Sequence, residues 1–305
     1  MPPSRWRHMT LVFLLQYLVA GVTYGAIYAI VAIGFGIVYN ATGIINFAQG
    51  EFVMLGGMLA VSLQAFLPLP VAILLAVLVT MGVGALIEIL FIRWLDRPTV
   101  LRMIVITIGL SIGMRELALL VWGEGVRSLP YFTGDAVSAL SVGDVHVSPQ
   151  VLWVLGTVCV IVAFLGLFFG RTRLGRQMRA CAANRDAARL CGIDAKGMVT
   201  LSFVLAAGIG ALAGCVVSPI TYVQYDSGTN LAIKGFTVAV LGGLGNSAAA
   251  LGGGIILGVL ESLSILVLPA AYKDVVAIAI LLAILVFRPA GVFGNAATAR
   301  LQEHT

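Results

Sequence analysis

Charged side chains are scarce in this sequence, and their scarcity decides its class. Asp, Glu, Lys and Arg make up 10% of the 305 residues, whereas soluble domains carry about 25%. The hydrophobic share is 60% and the mean hydropathy is +1.07, so a soluble globular fold is excluded. We expect the chain to lie in a bilayer, in contact with membrane lipid.

Residues that could support catalysis or metal binding are also few. The three histidines, His8, His146 and His304, are far apart in sequence and lie outside the apolar stretches, so they predict no metal site. There is neither a Gly-x-x-x-x-Gly-Lys-Ser/Thr phosphate loop nor a Gly-x-Ser-x-Gly nucleophile motif. We therefore expect no catalytic residues, no cofactor and no ATP hydrolysis by this chain. A membrane enzyme stays an alternative for which no set of residues can be assembled.

Cysteine and nucleic-acid signals are weak as well. No two of the four cysteines are spaced as a Cys-x-x-Cys pair, which predicts reduced, apolar filler side chains. The isoelectric point near 9.2 is explained by loop arginines, so no nucleic-acid partner is expected. The cysteines are Cys159, Cys181, Cys191 and Cys215.

The net charge is concentrated in one short loop. Residues 170–197 carry seven of the eighteen Lys and Arg residues and only two acids, so the loop alone has the +5 charge of the whole chain. Basic loops mark the cytoplasmic face, and Arg93, Arg97 and Arg102 place a second loop there. We interpret 170–197 as a cytoplasmic docking loop. The polar segment 123–150, interrupted by proline and glycine, is then the external loop.

Eight apolar stretches are candidates for membrane segments. A crossing needs about 20 residues, so stretches 11–39 and 236–268 are candidates for broken pairs, and eight to ten crossings follow. The first stretch is interpreted as a retained segment and not a signal peptide, because it stays apolar through Tyr39. Arg5 and Arg7 favour a cytoplasmic N-terminus, whereas one unbroken helix would place it outside. The stretches are 11–39, 44–67, 71–92, 101–122, 151–169, 198–223, 236–268 and 274–287.

Glycine is abundant, and many glycines stand four residues apart within the apolar stretches. Small residues at this spacing allow membrane helices to approach closely. The spacing therefore predicts tight helix packing at each pair. The pairs are Gly21 and Gly25, Gly109 and Gly113, Gly210 and Gly214, and Gly254 and Gly258.

Two polar, glycine-rich segments interrupt the apolar pattern, one in each half of the chain. Asn46, Gln49 and Glu51 lie in the first, and Asn246 lies in the second, before a span that ends at Glu261. Polar groups at membrane depth are tolerated where they face protein or a wet cavity, and paired interrupted segments indicate a translocation path. These five residues are the predicted path residues. For Glu51, capping the start of a helix is the alternative.

Other charged groups near the ends of apolar stretches are assigned structural roles. Glu88 is expected to pair with Arg93 or to extend toward the interface. Lys273 and Asp274 are adjacent opposite charges that are expected to anchor the membrane interface.

Five segments, in order along the chain, resemble a single family. Residues 43–51, Gly-Ile-Ile-Asn-Phe-Ala-Gln-Gly-Glu, are similar to the Gly-x-x-Asn-Phe-Ala-His-Gly-Glu signature of branched-chain amino acid ABC transporter permeases of the LivH branch. The second segment, 174–193, resembles the cytoplasmic coupling loop of that family. The remaining matches are 239–245, 272–276 and Arg288-Pro289-Ala290-Gly291. The resemblance spans about residues 10 to 294.

The resemblance implies an all-α polytopic membrane protein with roughly eight to ten transmembrane helices, and a single transmembrane permease domain over residues 1–305. It implies a permease subunit of an ATP-driven ABC importer in the bacterial inner membrane, which passes branched-chain amino acids delivered by a periplasmic binding protein. The implied partners are that binding protein, a second related permease and two cytoplasmic ATPase subunits. Alternatives are a urea or short-chain amide permease and a self-contained secondary transporter or channel.

The resemblance also implies which loop residues contact the ATPase. Two departures from the family pattern bear on this. Gln49 replaces the usual histidine, which removes any proton-dependent role of that position. Ala183 and Asn184 stand where an acidic pair is common, which removes charge from the loop. The implied contact residues are Arg179, Asp186, Arg189 and Gly192.

Overall fold

Helices make up nearly all of the described structure. The computed structural model describes residues 3–95, 99–134, 140–142, 145–269 and 272–287. An all-α fold class is confirmed in these ranges, apart from one hairpin of two three-residue strands. The helices are α1 (Pro3–Thr42), α2 (Gln49–Gln64), α3 (Leu69–Ile87), which continues as a π-helical turn over Glu88–Ile92, α4 (Val100–Trp122), α5 (Pro149–Arg171), α6 (Arg173–Ala183), α7 (Arg185–Leu190), α8 (Ala195–Thr221), α9 (Ser227–Gly242), α10 (Ser247–Ser264) and α11 (Lys273–Phe287), and the strands are β1 (Leu140–Val142) and β2 (Val145–Val147).

Nine of the helices in the described ranges are apolar. Six are long and apolar enough to cross a membrane by length and composition: α1, α3 with its π-helical turn, α4, α5, α8 and α10. The apolar helices α2, α9 and α11 have 15 or 16 residues and pack in the same bundle. The Arg288 to Gly291 motif and Arg97 lie outside the described residues.

The first apolar stretch is one helix, so its prediction as a candidate broken pair is wrong. α1 runs unbroken to Thr42 because its glycines serve helix contact. A methyl group on Gly25 would overlap the backbone of Gly254 in α10, and one on Gly21 would overlap α10 near Gly258. Since α1 is unbroken, its two ends lie on opposite sides of the bundle.

The predicted tight packing at glycine pairs holds for three of the four pairs. Gly21 and Gly25 face Gly254 and Gly258, and Gly210 and Gly214 face α2. A Cβ atom on Gly109 or Gly113 of α4 would meet no atom within 4 Å. α4 is also the least buried of the six long apolar helices, whereas α1 and α8 form the centre of the bundle.

The predicted break in stretch 236–268 is confirmed. α9 ends at Gly242 and α10 begins at Ser247. Gly243 and Gly245 take positive φ angles of 80° and 101°, which glycine adopts without steric cost. Asn246 then caps α10, since its Oδ1 accepts hydrogen bonds from the N–H groups of Ala248 and Ala249.

The helix ends define two sides of the bundle. Asn40 at the end of α1, Arg179 of α6 and Gly245 at the start of α10 line one cavity of about 220 Å³, so these ends lie together on what we name the loop side. The opposite side, the far side, holds residues 123–134 and the hairpin that precedes α5. There the N–H of Leu129 donates to Ser218 Oγ at 3.1 Å, near the end of α8.

Candidate functional site

The segment between α1 and α2 turns back into the bundle from the loop side. The amide Nε2 of Gln49 donates to the Ala206 carbonyl of α8 at 3.1 Å, and Gln49 also contacts Gly34 of α1. Gly34 stands eight residues before Thr42, which corresponds to about 12 Å along the helix. The polar start of α2 is therefore held at membrane depth.

Asn46, Gln49 and Glu51 form what we name the inner cluster. All three side chains are buried. Ser111 of α4 donates to Glu51 Oε1 at 2.9 Å, and Thr229 of α9 donates to the same oxygen at 3.4 Å. No side chain caps α2, so Glu51 does not act as the predicted alternative cap but joins three helices.

Each member of the inner cluster keeps one buried polar atom without a hydrogen-bond partner among the described residues. The atoms are Asn46 Nδ2, Gln49 Oε1 and Glu51 Oε2. Leaving such an atom unpaired costs about 1–3 kcal/mol, so three together call for an explanation. A cavity of about 270 Å³ reaches Ser111 and Thr229, the two hydroxyl groups that bind Glu51. Ser111 and Thr229 therefore lie between the buried Glu51 carboxylate and this cavity.

Glu261 belongs to a separate group of charges, which we name the lysine cluster: Lys234, Glu261, Lys273 and Asp274. Lys234 Nζ lies 2.7 Å from Glu261 Oε1 and 2.8 Å from Asp274 Oδ1. Lys273 Nζ lies 3.6 Å from the same Glu261 oxygen. Glu261 is fully buried, so it depends on the two lysines for charge compensation.

The lysine cluster borders the cavity on the far side of the bundle. The cavity has a volume of about 420 Å³. Polar groups occupy one part of its wall and apolar side chains another. Tyr222, at its rim, is exposed. The lining residues include Tyr24, Tyr28, Asn230, Lys234 and Lys273 on the polar part, and Ile27, Val53, Met54, Val217 and Leu231 on the apolar part.

The five predicted path residues thus lie in three places. Asn46, Gln49 and Glu51 are together at the start of α2, and Glu261 lies in the lysine cluster. Asn246 is exposed on the loop side, where it caps α10.

The basic loop is built from two short helices, each started by a capping side chain. Thr172 Oγ1 accepts the N–H of Gly175 at 2.9 Å and starts α6. Asn184 Oδ1 accepts the N–H of Ala187 at 2.9 Å and starts α7. Asp194 caps α8 in the same way. Asn184 stands where the family commonly has an acidic residue. It therefore caps α7 although it carries no charge.

The four predicted ATPase-contact residues are all exposed. Arg179 lies on α6, whose opposite face is buried. Asp186 and Arg189 form a 3.7 Å ion pair on α7. Gly192 has a φ of +81° and ends that helix, and Leu190 beside it is 91% exposed. The loop thus presents charged groups beside the exposed side chain of Leu190.

Two of the cysteines, Cys181 and Cys215, are buried, whereas Cys159 and Cys191 are exposed. All four cysteines are free thiols, and burial raises the pKa of the Cys181 thiol in the loop. The predicted pairing of Glu88 is confirmed, since its Oε2 lies 3.6 Å from Arg93 Nη2 and accepts a 2.7 Å hydrogen bond from Thr200 of α8.

Sequence reasoning missed two residues of this arrangement and misplaced a third. Lys234 was not singled out, because it lies between the apolar stretches 198–223 and 236–268, where a charged residue is not unusual. Leu190 was noted only as part of a motif. Lys273 was expected to anchor the membrane interface, but it is partly buried and turns toward Glu261.

Comparison with known proteins adds a family and several relatives. Residues 17–285 match the family described as the branched-chain amino acid transport system, permease component. The chain is 35% identical to the high-affinity branched-chain amino acid transport system permease protein BraD of Pseudomonas aeruginosa, covering 92% of this chain and 96% of BraD. It is 32% identical to LivH of Escherichia coli K12, covering 93% and 96%. The E. coli autoinducer 2 import system permease protein LsrC is 30% identical, covering 75% of this chain and 66% of LsrC.

Proposed function

The chain belongs to the branched-chain amino acid permease family of ABC importers, and from this premise we propose that it forms part of a pore that passes branched-chain amino acids released by a periplasmic binding protein. Proteins of this family are multi-pass transport subunits of the inner membrane and not enzymes. An ATPase and a binding protein work with them. The proposed assembly has a second related permease beside this chain and two ATPase subunits on the loop side, which is then the cytoplasmic side.

The position of helix α8, between the basic loop and the far-side cavity, is the observation that supports the proposal most strongly. The helix begins at the basic loop, where Asp194 caps it, and runs for 27 residues, about 40 Å, to the rim of the 420 Å³ cavity. Midway, its Ala206 carbonyl accepts the hydrogen bond from Gln49. One rigid helix therefore touches the docking loop, the inner cluster and the cavity. A displacement of the loop would move the walls of both polar sites.

The ATPase contact is proposed at the exposed face of α6 and α7. Arg179, Asp186, Arg189 and Gly192 retain their predicted role there, and Leu190 is added as an apolar contact. A leucine that is 91% exposed between charged residues is the kind of side chain that a pocket on a partner would cover.

The translocation path is proposed to pass the far-side cavity and then the inner cluster. Glu261 acts at the cavity through the lysines, and Asn46, Gln49 and Glu51 act further in. Asn246, on the loop side, is assigned to the exit end of the path. The basic loop favours this ATPase-driven scheme over a secondary transporter, which needs no docking surface for an ATPase.

Uptake of labelled leucine tests the proposal. The chain and its partner subunits are expressed in cells with either an intact or a catalytically inactive ATPase, and isoleucine, valine or urea is added in excess. We expect uptake that requires the active ATPase and is blocked by isoleucine and valine but not by urea. ATPase-dependent uptake of urea alone would refute the substrate class, and uptake that is indifferent to the ATPase would refute the importer.

A further inference from the structure

The far-side cavity contains a cation that makes no hydrogen bond to any residue that the structure describes. The three N–H donors of Lys234 are matched by Glu261 at 2.7 Å, Asp274 at 2.8 Å and the Tyr28 hydroxyl at 3.3 Å. Lys273 differs, because its single ion-pair contact is the 3.6 Å approach to Glu261 Oε1 and it has no hydrogen bond to a described residue. Its ammonium group also lies 4.0 Å from the centre of the Tyr24 ring. Lys273 is thus held at the cavity wall with donors available.

Glu261 explains how this cation is tolerated inside the bundle. It is completely buried and contacts both lysines through one oxygen. Asp274 supplies the second negative charge through Lys234. The four charges balance, so the cavity wall is stable without a ligand, and Lys273 is the member with the weakest contact.

The remainder of the wall suits an aliphatic side chain. Ile27, Val53, Met54, Val217 and Leu231 form its apolar part, and the volume of about 420 Å³ lies within the usual range for small-molecule sites. The cluster is also at membrane depth, since Tyr28 stands fourteen residues before the end of α1, about 21 Å along the helix. A molecule bound here would be inside the membrane and near the far side.

We infer that Lys273 binds the carboxylate of the transported amino acid in this cavity, while the apolar wall holds its branched side chain and Glu261 positions the lysine. The inference rests on the proposed function and names the chemical feature that the permease recognises, an aliphatic carboxylate. A neutral molecule such as urea offers no anion to Lys273. The permease would then select for an aliphatic carboxylate, in addition to the selection of ligand by the binding protein.

The test compares transport with ATP hydrolysis in the complete importer in proteoliposomes. Lys273→Gln removes the cation, and Lys273→Arg is the matched control that keeps it. A hydrogen-bonded charge contact contributes about 1.5–3 kcal/mol, so we expect Lys273→Gln to lower leucine transported per ATP by about tenfold or more. Stimulation of the ATPase by the loaded binding protein should persist, and Lys273→Arg should retain most of the transport. If Lys273→Gln transports as much leucine per ATP as the wild type, the inference is wrong.

Chemical restoration of the charge covers the case in which Lys273→Gln fails to assemble. Lys273→Cys is treated with a methanethiosulfonate reagent that adds either an aminoethyl group or a neutral methyl group, with the unsubstituted chain treated in parallel because it has four cysteines of its own. Recovery of leucine transport with the cationic group alone would support the inference, and equal recovery with both groups would overturn it. Urea transport without leucine transport by the wild type would refute the proposed function itself, whereas normal leucine transport by every Lys273 variant would refute only this inference.

Discussion

At the scale of single residues, two of the buried carboxylates, Glu51 and Glu261, are stabilised in different ways. Glu51 accepts hydrogen bonds from two hydroxyl groups, whereas Glu261 lies against two ammonium groups. A carboxylate that is compensated by lysines is fixed by charge. One that is held by hydroxyls is fixed by hydrogen bonds, and in both residues Oε2 has no hydrogen-bond partner among the described residues.

Substitution of Glu51 should separate its structural and transport roles. Glu51→Ala leaves the hydroxyls of Ser111 and Thr229 without their acceptor, and we expect it to lower the free energy of unfolding by about 1–3 kcal/mol. Glu51→Gln keeps an acceptor oxygen, so it should unfold near the wild-type temperature and yet transport less leucine. Thermal unfolding in detergent and uptake per ATP measure the two effects.

The control for this prediction is Glu124→Gln, a carboxamide substitution at an exposed site on the far side. It should leave both measurements unchanged. If Glu51→Gln transports at the wild-type rate, the negative charge of Glu51 has no part in the path.

The sequence shows which polar residues are unusual more readily than it shows which residues they contact. Glu51 and Glu261 stand out because charge is rare in apolar stretches, and the structure finds both buried. The pairing of Glu261 with Lys234, 27 positions earlier, depends on how α9 and α10 pack, which no local pattern contains. Asn246 was predicted from the same polar character, but its side chain is used to cap a helix.

At the scale of helices, glycine spacing decides how closely the central elements approach. α1 and α10 touch through four glycines, so the backbones themselves are in contact. The same glycines made stretch 11–39 a candidate for interruption. Sequence alone does not distinguish a glycine that breaks a helix from one that permits contact, because the difference lies in the neighbouring helix.

A larger side chain at Gly25 should disrupt this helix pair. Gly25→Val places a branched side chain against the Gly254 carbonyl group, and overpacking of this kind costs about 1–3 kcal/mol or more. We expect a lower yield of folded protein in the membrane and a lower unfolding temperature. Gly156→Val on α5 is the matched control, since a side chain there meets no atom within 4 Å. Equal loss in both variants would show that helix propensity, and not packing, is responsible.

The docking loop offers a test of coupling at the same scale. Leu190→Ser removes the exposed apolar side chain of α7 and should weaken binding of the ATPase subunits by about tenfold, as for a buried contact of more than 1 kcal/mol. Co-purification with the ATPase and leucine uptake measure this. Leu266→Ser, at a half-exposed leucine after α10 on the far side, should leave ATPase binding unchanged. Retained ATPase binding in Leu190→Ser would remove this leucine from the proposed contact.

At the scale of the whole molecule, the unbroken α1 links the position of the N-terminus to that of the loop. α1 ends beside α6, and its other half lies along α10, where the backbone carbonyl of Tyr17 accepts a hydrogen bond from Ser262 Oγ. The sequence left the side of the N-terminus open because Arg5 and Arg7 and the length of the first stretch favoured different sides. Because α1 is a single unbroken helix, its start at Pro3 lies on the side of the bundle opposite the basic loop.

Labelling in intact cells would test this arrangement directly. Cys191 is a free, exposed thiol in the basic loop, and Glu124→Cys adds one on the far side. If the loop side is cytoplasmic, a membrane-impermeant maleimide should label Glu124→Cys in whole cells and reach Cys191 only after the membrane is opened. Cys191→Ser identifies the loop signal. Labelling of Cys191 in intact cells would show that the loop side is not cytoplasmic. The cavity beside the lysine cluster would then open toward the cytoplasm. A periplasmic binding protein could not deliver a ligand to a cavity on that side.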